Sequence, residues 1–142
     1  MCALAFAVPG TANPFVGEWE LNAKKSKPDA KSPTVKAQSV KYVSDGTTLK
    51  AFLTTDGSTS AHPTVYDGRE HEYGGTSALR ATHITATAKG NTLETVFKRD
   101  GKTVGIRKNT LSPDGRTMTV TVEGSTPEGE KYSSVLVFEK KN

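Results

Sequence analysis

Short turn sequences, each containing a glycine, recur along most of this chain and divide it into short segments. The eight turns lie at 44–46, 55–57, 67–68, 74–75, 89–91, 100–101, 113–115 and 127–129. Glycine supplies the positive φ that tight hairpin turns require. The segments between the turns are rich in Val, Thr, Ile, Tyr and Phe, which favour strands. The chain is therefore predicted to be all-β, with antiparallel strands and almost no helix.

Ten strands are predicted, and most are joined to the next one as hairpins. They cover residues 15–22, 34–43, 47–54, 61–66, 69–73, 78–88, 92–99, 102–111, 116–123 and 130–140. Consecutive hairpins need no long crossover, which favours an up-and-down β-barrel of eight to ten strands over a sandwich. A closed barrel has no exposed edges, and one of eight or more strands can hold a small ligand. Residues 23–33 are predicted to be a polar loop, or at most one helical turn.

The first strand has a clear period of two, which indicates one buried face. Phe15, Gly17, Trp19 and Leu21 alternate with Val16, Glu18, Glu20 and Asn22, three of which are polar. Trp19 is predicted to be a structural plug at the closed end of the barrel rather than a platform for a ligand.

Several motifs of the chain match those of one superfamily. The first strand carries Phe-x-Gly-x-Trp-x-Leu, and the last one ends in Val-Leu-Val-Phe-Glu-Lys at 135–140. Further motifs are Pro33-Thr34-Val35, Tyr66-Asp67-Gly68, the hairpin at 97–103 and the Asp-Gly-x-Thr-Met-Thr at 114–119. With these motifs the chain resembles the calycin superfamily, which contains lipocalins, fatty acid-binding proteins and bacterial lipocalin-like domain proteins. The resemblance implies a barrel that holds a small apolar or amphipathic ligand.

Two positions depart from the pattern of fatty acid-binding proteins. Residues 23–33 are too few for the helix-turn-helix lid of that family. Leu136 and Phe138 stand where the family has the inward Arg-x-Tyr that binds a carboxylate. Lys108 matches the family's second cation, so the resemblance implies one cation at most for a carboxylate.

Alternation on the later strands gives a first set of candidate ligand-binding residues. If the apolar faces point inward, the cavity is lined by Val104, Ile106, Lys108, Met118, Val120, Leu136 and Phe138. A buried lysine needs a partner or a lowered pKa. Lys108 could meet a ligand anion or act as an amine nucleophile, or it could lie at a rim and reach water.

A second candidate set flanks the turn at 67–68. A two-residue hairpin turn there would pair Tyr66 with Arg69, and residues directly opposite share a face. The face would then carry His62, Thr64, Tyr66, Arg69, His71 and Tyr73. These side chains could form a polar wall of the cavity, or the histidines could simply face solvent. The spacing of the histidines, with His83 as a third, matches no metal-binding motif, so no metal is predicted.

Length and composition predict one domain of residues 13–142 that needs no metal or disulfide. Cys2 is the single cysteine, so no internal disulfide can form. The net charge of +4 is spread along the chain, and no nucleic acid-binding motif is present. Residues 1–12 are uncharged and resemble the end of a secretory signal, which favours a secreted or periplasmic protein. No later stretch is long and apolar enough to span a membrane.

The predicted function is the binding of a small hydrophobic or amphipathic molecule in the barrel, without a cofactor, by a monomer or weak dimer. Two alternatives stay open. The cavity could be an active site of isomerase, lyase or hydrolase type, with Lys108, His71 or His83 as the base. The barrel could also be a filled structural module without a ligand.

Overall fold

The computed structural model describes residues 13–27, 38–44, 48–55, 58–59, 64–72, 81–125 and 128–141. Eleven strands occur within these ranges. They are β1 Gly17–Leu21, β2 Gln38–Ser44, β3 Leu49–Thr55, β4 Ser58–Thr59, β5 Thr64–Tyr66, β6 Glu70–Glu72, β7 His83–Lys89, β8 Thr92–Arg99, β9 Lys102–Leu111, β10 Thr117–Ser125 and β11 Lys131–Lys140. All except the two-residue β4 were predicted. Within these ranges no helix is long and apolar enough to cross a membrane.

The strands form one antiparallel sheet that follows the order of the chain. Ten strands follow one another as β4-β3-β2-β1-β11-β10-β9-β8-β7-β6, and β5 also pairs with β3. The last strand pairs with the first, with Phe138 opposite Leu21 and Lys140 opposite Trp19. The prediction of an all-β, up-and-down barrel is therefore confirmed; ten strands follow one another in the sheet, and β5 is an eleventh beside them.

The two edges of the sheet meet at residues 67–69, in the middle of the chain. β5 pairs with β3 and β6 pairs with β7, so the predicted hairpin between these two short strands is wrong. The Gly68 amide donates a hydrogen bond of 2.8 Å to the Ala86 carbonyl on β7. The Asp67 carboxylate accepts from the Arg69 amide and contacts His71 Nε2 at 2.8 Å. The turn thus spans the seam between the two edges of the sheet.

The alternation at the start of the chain predicted a buried Trp19, and the structure buries it. Trp19 of β1 and Phe15, two residues before the strand, are fully buried, and the indole N–H of Trp19 donates to the Phe15 carbonyl at 2.9 Å. Lys140 Nζ lies 5.6 Å from the centre of the indole ring. Gly17 has a φ of +132°, and a Cβ atom there would lie 3.0 Å from Lys140 Cε. Glycine at this position therefore lets the Lys140 side chain pass across the strand.

A β-bulge in β9 decides which of its side chains face the interior. The register between β8 and β9 shifts between Thr103 and Gly105, and Val104 and Gly105 are buried in succession. A bulge adds one residue to a strand, and a shift of one residue moves the following side chains to the opposite face. Beyond the bulge Asn109 and Leu111 are buried, whereas Ile106 and Lys108 are exposed.

Candidate ligand-binding site

A cavity of about 180 Å³ lies inside the barrel, between two walls of the sheet. One wall contributes Gln38, Val40, Tyr42, Ala51, Leu53, Thr64 and Tyr66 from β2, β3 and β5. The facing wall contributes Phe97, Arg107, Asn109, Met118, Val120, Val122, Leu136 and Phe138 from β8 to β11. Most of this lining is apolar or aromatic, which is typical of sites for small molecules.

Four polar side chains lie together within this lining: Tyr42, Tyr66, Arg107 and Asn109, here called the polar cluster. Asn109 Nδ2 donates a 2.8 Å hydrogen bond to Tyr42 Oη, which joins the two walls across the interior. The rings of Tyr42 and Tyr66 have their centres 6.2 Å apart and are tilted by 51°. The guanidinium carbon of Arg107 lies 5.5 Å from the centre of the Phe97 ring.

Tyr66 and Asn109 each have a buried oxygen that lacks the hydrogen bond which buried polar atoms normally make. Tyr66 Oη and Asn109 Oδ1 are buried and have no hydrogen-bond partner in the part of the chain that the structure describes. More than nine-tenths of buried polar groups are bonded in folded proteins. Leaving one without a partner costs about 1–3 kcal/mol. These two atoms therefore mark the place where a bound molecule would gain most from polar contacts.

The Tyr42 hydroxyl stays protonated in the folded protein. Burial raises its pKa well above the usual value near 10, and the neighbouring Tyr66 acts in the same direction. Arg107 and Asn109 act in the opposite direction but do not outweigh burial. Among the described residues that line the cavity, Arg107 is the one cation, and the Tyr42 hydroxyl beside it is neutral at neutral pH.

The wild-type protein is expected to lose stability at alkaline pH, and the substitution Tyr42→Phe should make this loss smaller. A raised pKa stabilises the fold below the pKa of the unfolded chain, and this contribution is lost as the pH rises. Above about pH 10 the unfolded chain ionises Tyr42 while the folded protein does not, at a cost of up to about 1.4 kcal/mol per pH unit. Urea unfolding of both proteins between pH 8 and 11 measures this term. A constant difference in unfolding free energy over that range would contradict the assigned shift.

Six of the candidate residues line the cavity: Thr64, Tyr66, Met118, Val120, Leu136 and Phe138. Val104 is buried too, but it packs in a second hydrophobic cluster with Ala81, Ile84, Phe97 and Tyr132. Because Leu136 and Phe138 are apolar, the last strand contributes no charge to the cavity.

Two residues of β9 that were predicted to face the cavity do not face it. Lys108 lies on the outer face, with Nζ 3.8 Å from the Glu94 carboxylate and 57% of its side chain exposed. Ile106 is also exposed on the outer face. Both errors have the same cause, because the bulge at Thr103–Gly105 reverses the alternation beyond it.

The histidines lie away from the cavity where the structure describes them. His71 is partly exposed beside Asp67, and Arg69 is exposed, so neither shares the buried face of Tyr66. His83 lies next to Thr82, whose hydroxyl is 3.0 Å from its Nδ1, on the face opposite Ile84. His62 and Tyr73 lie outside the described residues. None of the three candidate bases (Lys108, His71 and His83) lines the cavity.

Sequence reasoning missed Tyr42, Arg107 and Asn109. Tyr42 lies in a predicted strand, and Gly105 lies in the middle of the predicted strand 102–111. A glycine inside a strand often marks a bulge, so Gly105 is the signal that could have placed Arg107 and Asn109 inside.

The fold is shared with solved structures, although sequence comparison finds no relative. No protein-family model and no curated protein matches the chain significantly. The zebrafish ileal bile acid-binding protein with cholic acid superposes with a TM-score of 0.64 at 14% identity, covering 91% of this chain and 100% of that one. A Schistosoma mansoni fatty acid-binding protein with arachidonic acid gives a TM-score of 0.61 at 12% identity, covering 94% and 100%. A fatty acid-binding protein from Drosophila melanogaster brain gives a TM-score of 0.61 at 19% identity, covering 88% and 98%. The chain therefore has the calycin-type barrel fold.

Proposed function

We propose that this protein binds one small amphipathic molecule inside its barrel. The observation that carries the proposal is a cavity whose apolar walls adjoin buried polar atoms without partners, Tyr66 Oη and Asn109 Oδ1. The apolar part of the ligand would contact Met118, Val120 and Leu136, and its polar part would contact the polar cluster.

Charge and shape support this proposal over the two alternatives. Arg107 brings a cation into the interior, where a charge interacts more strongly than it does in water, so an acidic ligand group is favoured. The cavity supports a ligand-binding barrel over a filled one. Two structural neighbours hold cholic acid and arachidonic acid, which are larger molecules but likewise amphipathic acids.

Fluorescence titration with 1-naphthol tests the proposal, and one molecule is expected to bind per chain. Val120→Trp should abolish this binding, because Val120 is 3% exposed and lines the cavity. Thr121→Trp is the matched control, because Thr121 is exposed on the same strand, and it should leave binding unchanged. Far-ultraviolet circular dichroism checks that each variant is folded.

Equal binding of 1-naphthol by the wild type and a folded Val120→Trp variant would place the dye on the surface and reject the proposal. Overpacking a core costs about 1–3 kcal/mol, so Val120→Trp is at risk of unfolding. Ala51→Leu fills the same cavity from the opposite wall with a smaller side chain. Ala51→Leu should therefore also weaken the binding of 1-naphthol.

We also propose that the protein is exported. The support is the uncharged segment 1–12, which lies outside the described residues. Cell fractionation and N-terminal sequencing of the mature protein test this; recovery in the cytoplasm with residue 1 intact would contradict it.

A further inference from the structure

We infer that the ligand is a compact molecule, about the size of one substituted six-membered ring, that donates a hydrogen bond to Asn109 Oδ1. This inference rests on the proposed function and adds the size and head-group chemistry of the ligand.

The amide of Asn109 has one orientation that suits its neighbours. Its Nδ2 donates to Tyr42 Oη at 2.8 Å and lies 3.7 Å from Met118 Sδ. A thioether sulfur is a weak acceptor, so it suits the NH₂ group rather than the carbonyl oxygen. The Tyr42 hydroxyl could accept from Nδ2 or donate to Oδ1, so the sulfur contact is the one that places Nδ2 at this position. Oδ1 then lies on the other side of the amide, without a partner.

A carbonyl oxygen can be satisfied only by a donor. Asn109 is 3% exposed, so it has little access to bulk water. A carboxylate, ketone or ester offers only acceptors and would place its lone pairs against this oxygen. A hydroxyl or N–H group of the ligand supplies the missing donor.

Tyr66 favours a hydroxyl over an N–H group at this place. Its Oη is buried without a partner, and a phenol can donate as well as accept. A ligand hydroxyl could donate to Asn109 and accept from Tyr66, which would satisfy both atoms. An acidic group elsewhere on the same ligand would meet Arg107.

The volume and the lining of the cavity limit the rest of the ligand. A protein cavity of about 150 Å³ holds benzene, so the 180 Å³ here suits roughly six to eleven non-hydrogen atoms. A chain of sixteen carbons exceeds this volume. The lining includes the rings of Tyr42, Tyr66, Phe97 and Phe138. Aromatic rings pack well on one another, so a flat ring is favoured.

Calorimetric titration with three matched probes tests the inference. 4-Ethylphenol carries the hydroxyl donor, 4-ethylanisole keeps the oxygen without the donor, and 4-ethyltoluene replaces the hydroxyl with a methyl group. The phenol is expected to bind about tenfold tighter than the anisole, since it satisfies a buried acceptor. Hexadecanoate is expected to bind more weakly than the phenol.

Two variants test whether the preference for the phenol over the anisole comes from the polar cluster. Asn109→Leu should make the phenol and the anisole bind alike and should strengthen the binding of 4-ethyltoluene. Because Asn109→Leu also removes a bond to Tyr42, Tyr66→Phe is the second variant; it removes an oxygen without a partner and should weaken phenol binding several-fold. Asn91→Leu, at an exposed asparagine, is the control and should change nothing.

The outcomes separate this inference from the proposed function. Equal affinity of the wild type for phenol and anisole, or tighter binding of hexadecanoate than of the phenol, would overturn the inference. The proposed function would survive that result if binding still depended on Val120. If neither 1-naphthol nor any of the four probes binds in a Val120-dependent manner, both are wrong.

Discussion

Replacing Trp19 with alanine is expected to lower the free energy of unfolding by about 3–5 kcal/mol. Trp19 is fully buried, its indole N–H is bonded to the Phe15 carbonyl, and Lys140 lies over its ring. The substitution removes all three interactions and leaves a cavity in the core. For a chain of this length the loss corresponds to a fall of about 10 °C in the melting temperature.

Two further variants show whether this effect comes from the core. Trp19→Phe keeps a ring but not the bond to Phe15, so its melting temperature should lie between those of the wild type and Trp19→Ala. Glu18→Ala, at an exposed neighbour 3.8 Å from Lys141, should change stability by less than about 1 kcal/mol. An unchanged melting curve for Trp19→Ala would refute the buried plug.

The sequence predicted most strands well, because their signals are local. The predicted strands 92–99 and 102–111 have the bounds of β8 and β9, and the alternation in β10 and β11 placed Met118, Val120 and Leu136 inside. Turns and alternation each depend on a few adjacent residues. Such signals set strand bounds and faces wherever the pairing stays regular.

The features that the sequence did not predict depend on pairing between distant segments of the chain. The Asp67–Gly68 turn was predicted as a hairpin, but β5 pairs with β3 and β6 with β7, and no local pattern specifies these partners. The hydrogen bond between the Tyr42 and Asn109 side chains joins residues that are 67 positions apart in the sequence. The polar cluster therefore arises from closure of the barrel, so no single strand could reveal it.

Because of the bulge in β9, the cation that lines the cavity is Arg107 rather than Lys108. Arg107→Met is expected to reduce the preference for benzoate over methyl benzoate by about tenfold to a hundredfold. Neither probe carries a donor at neutral pH, so the ratio of their affinities reports charge alone. A charge-assisted hydrogen bond is worth about 1.5–3 kcal/mol, which corresponds to that range of affinity.

Lys108→Met is the matched control, because it removes the same charge one residue further along β9 but on the outer face. Calorimetric titration of the two probes should give the same affinity ratio for Lys108→Met as for the wild type. If Lys108→Met removes the preference and Arg107→Met keeps it, the strand has no bulge in solution, because regular alternation from Val104 would bring Lys108 inside. If neither variant changes the ratio, the charged group of benzoate binds outside the polar cluster, and Arg107 does not act as the cation of the site.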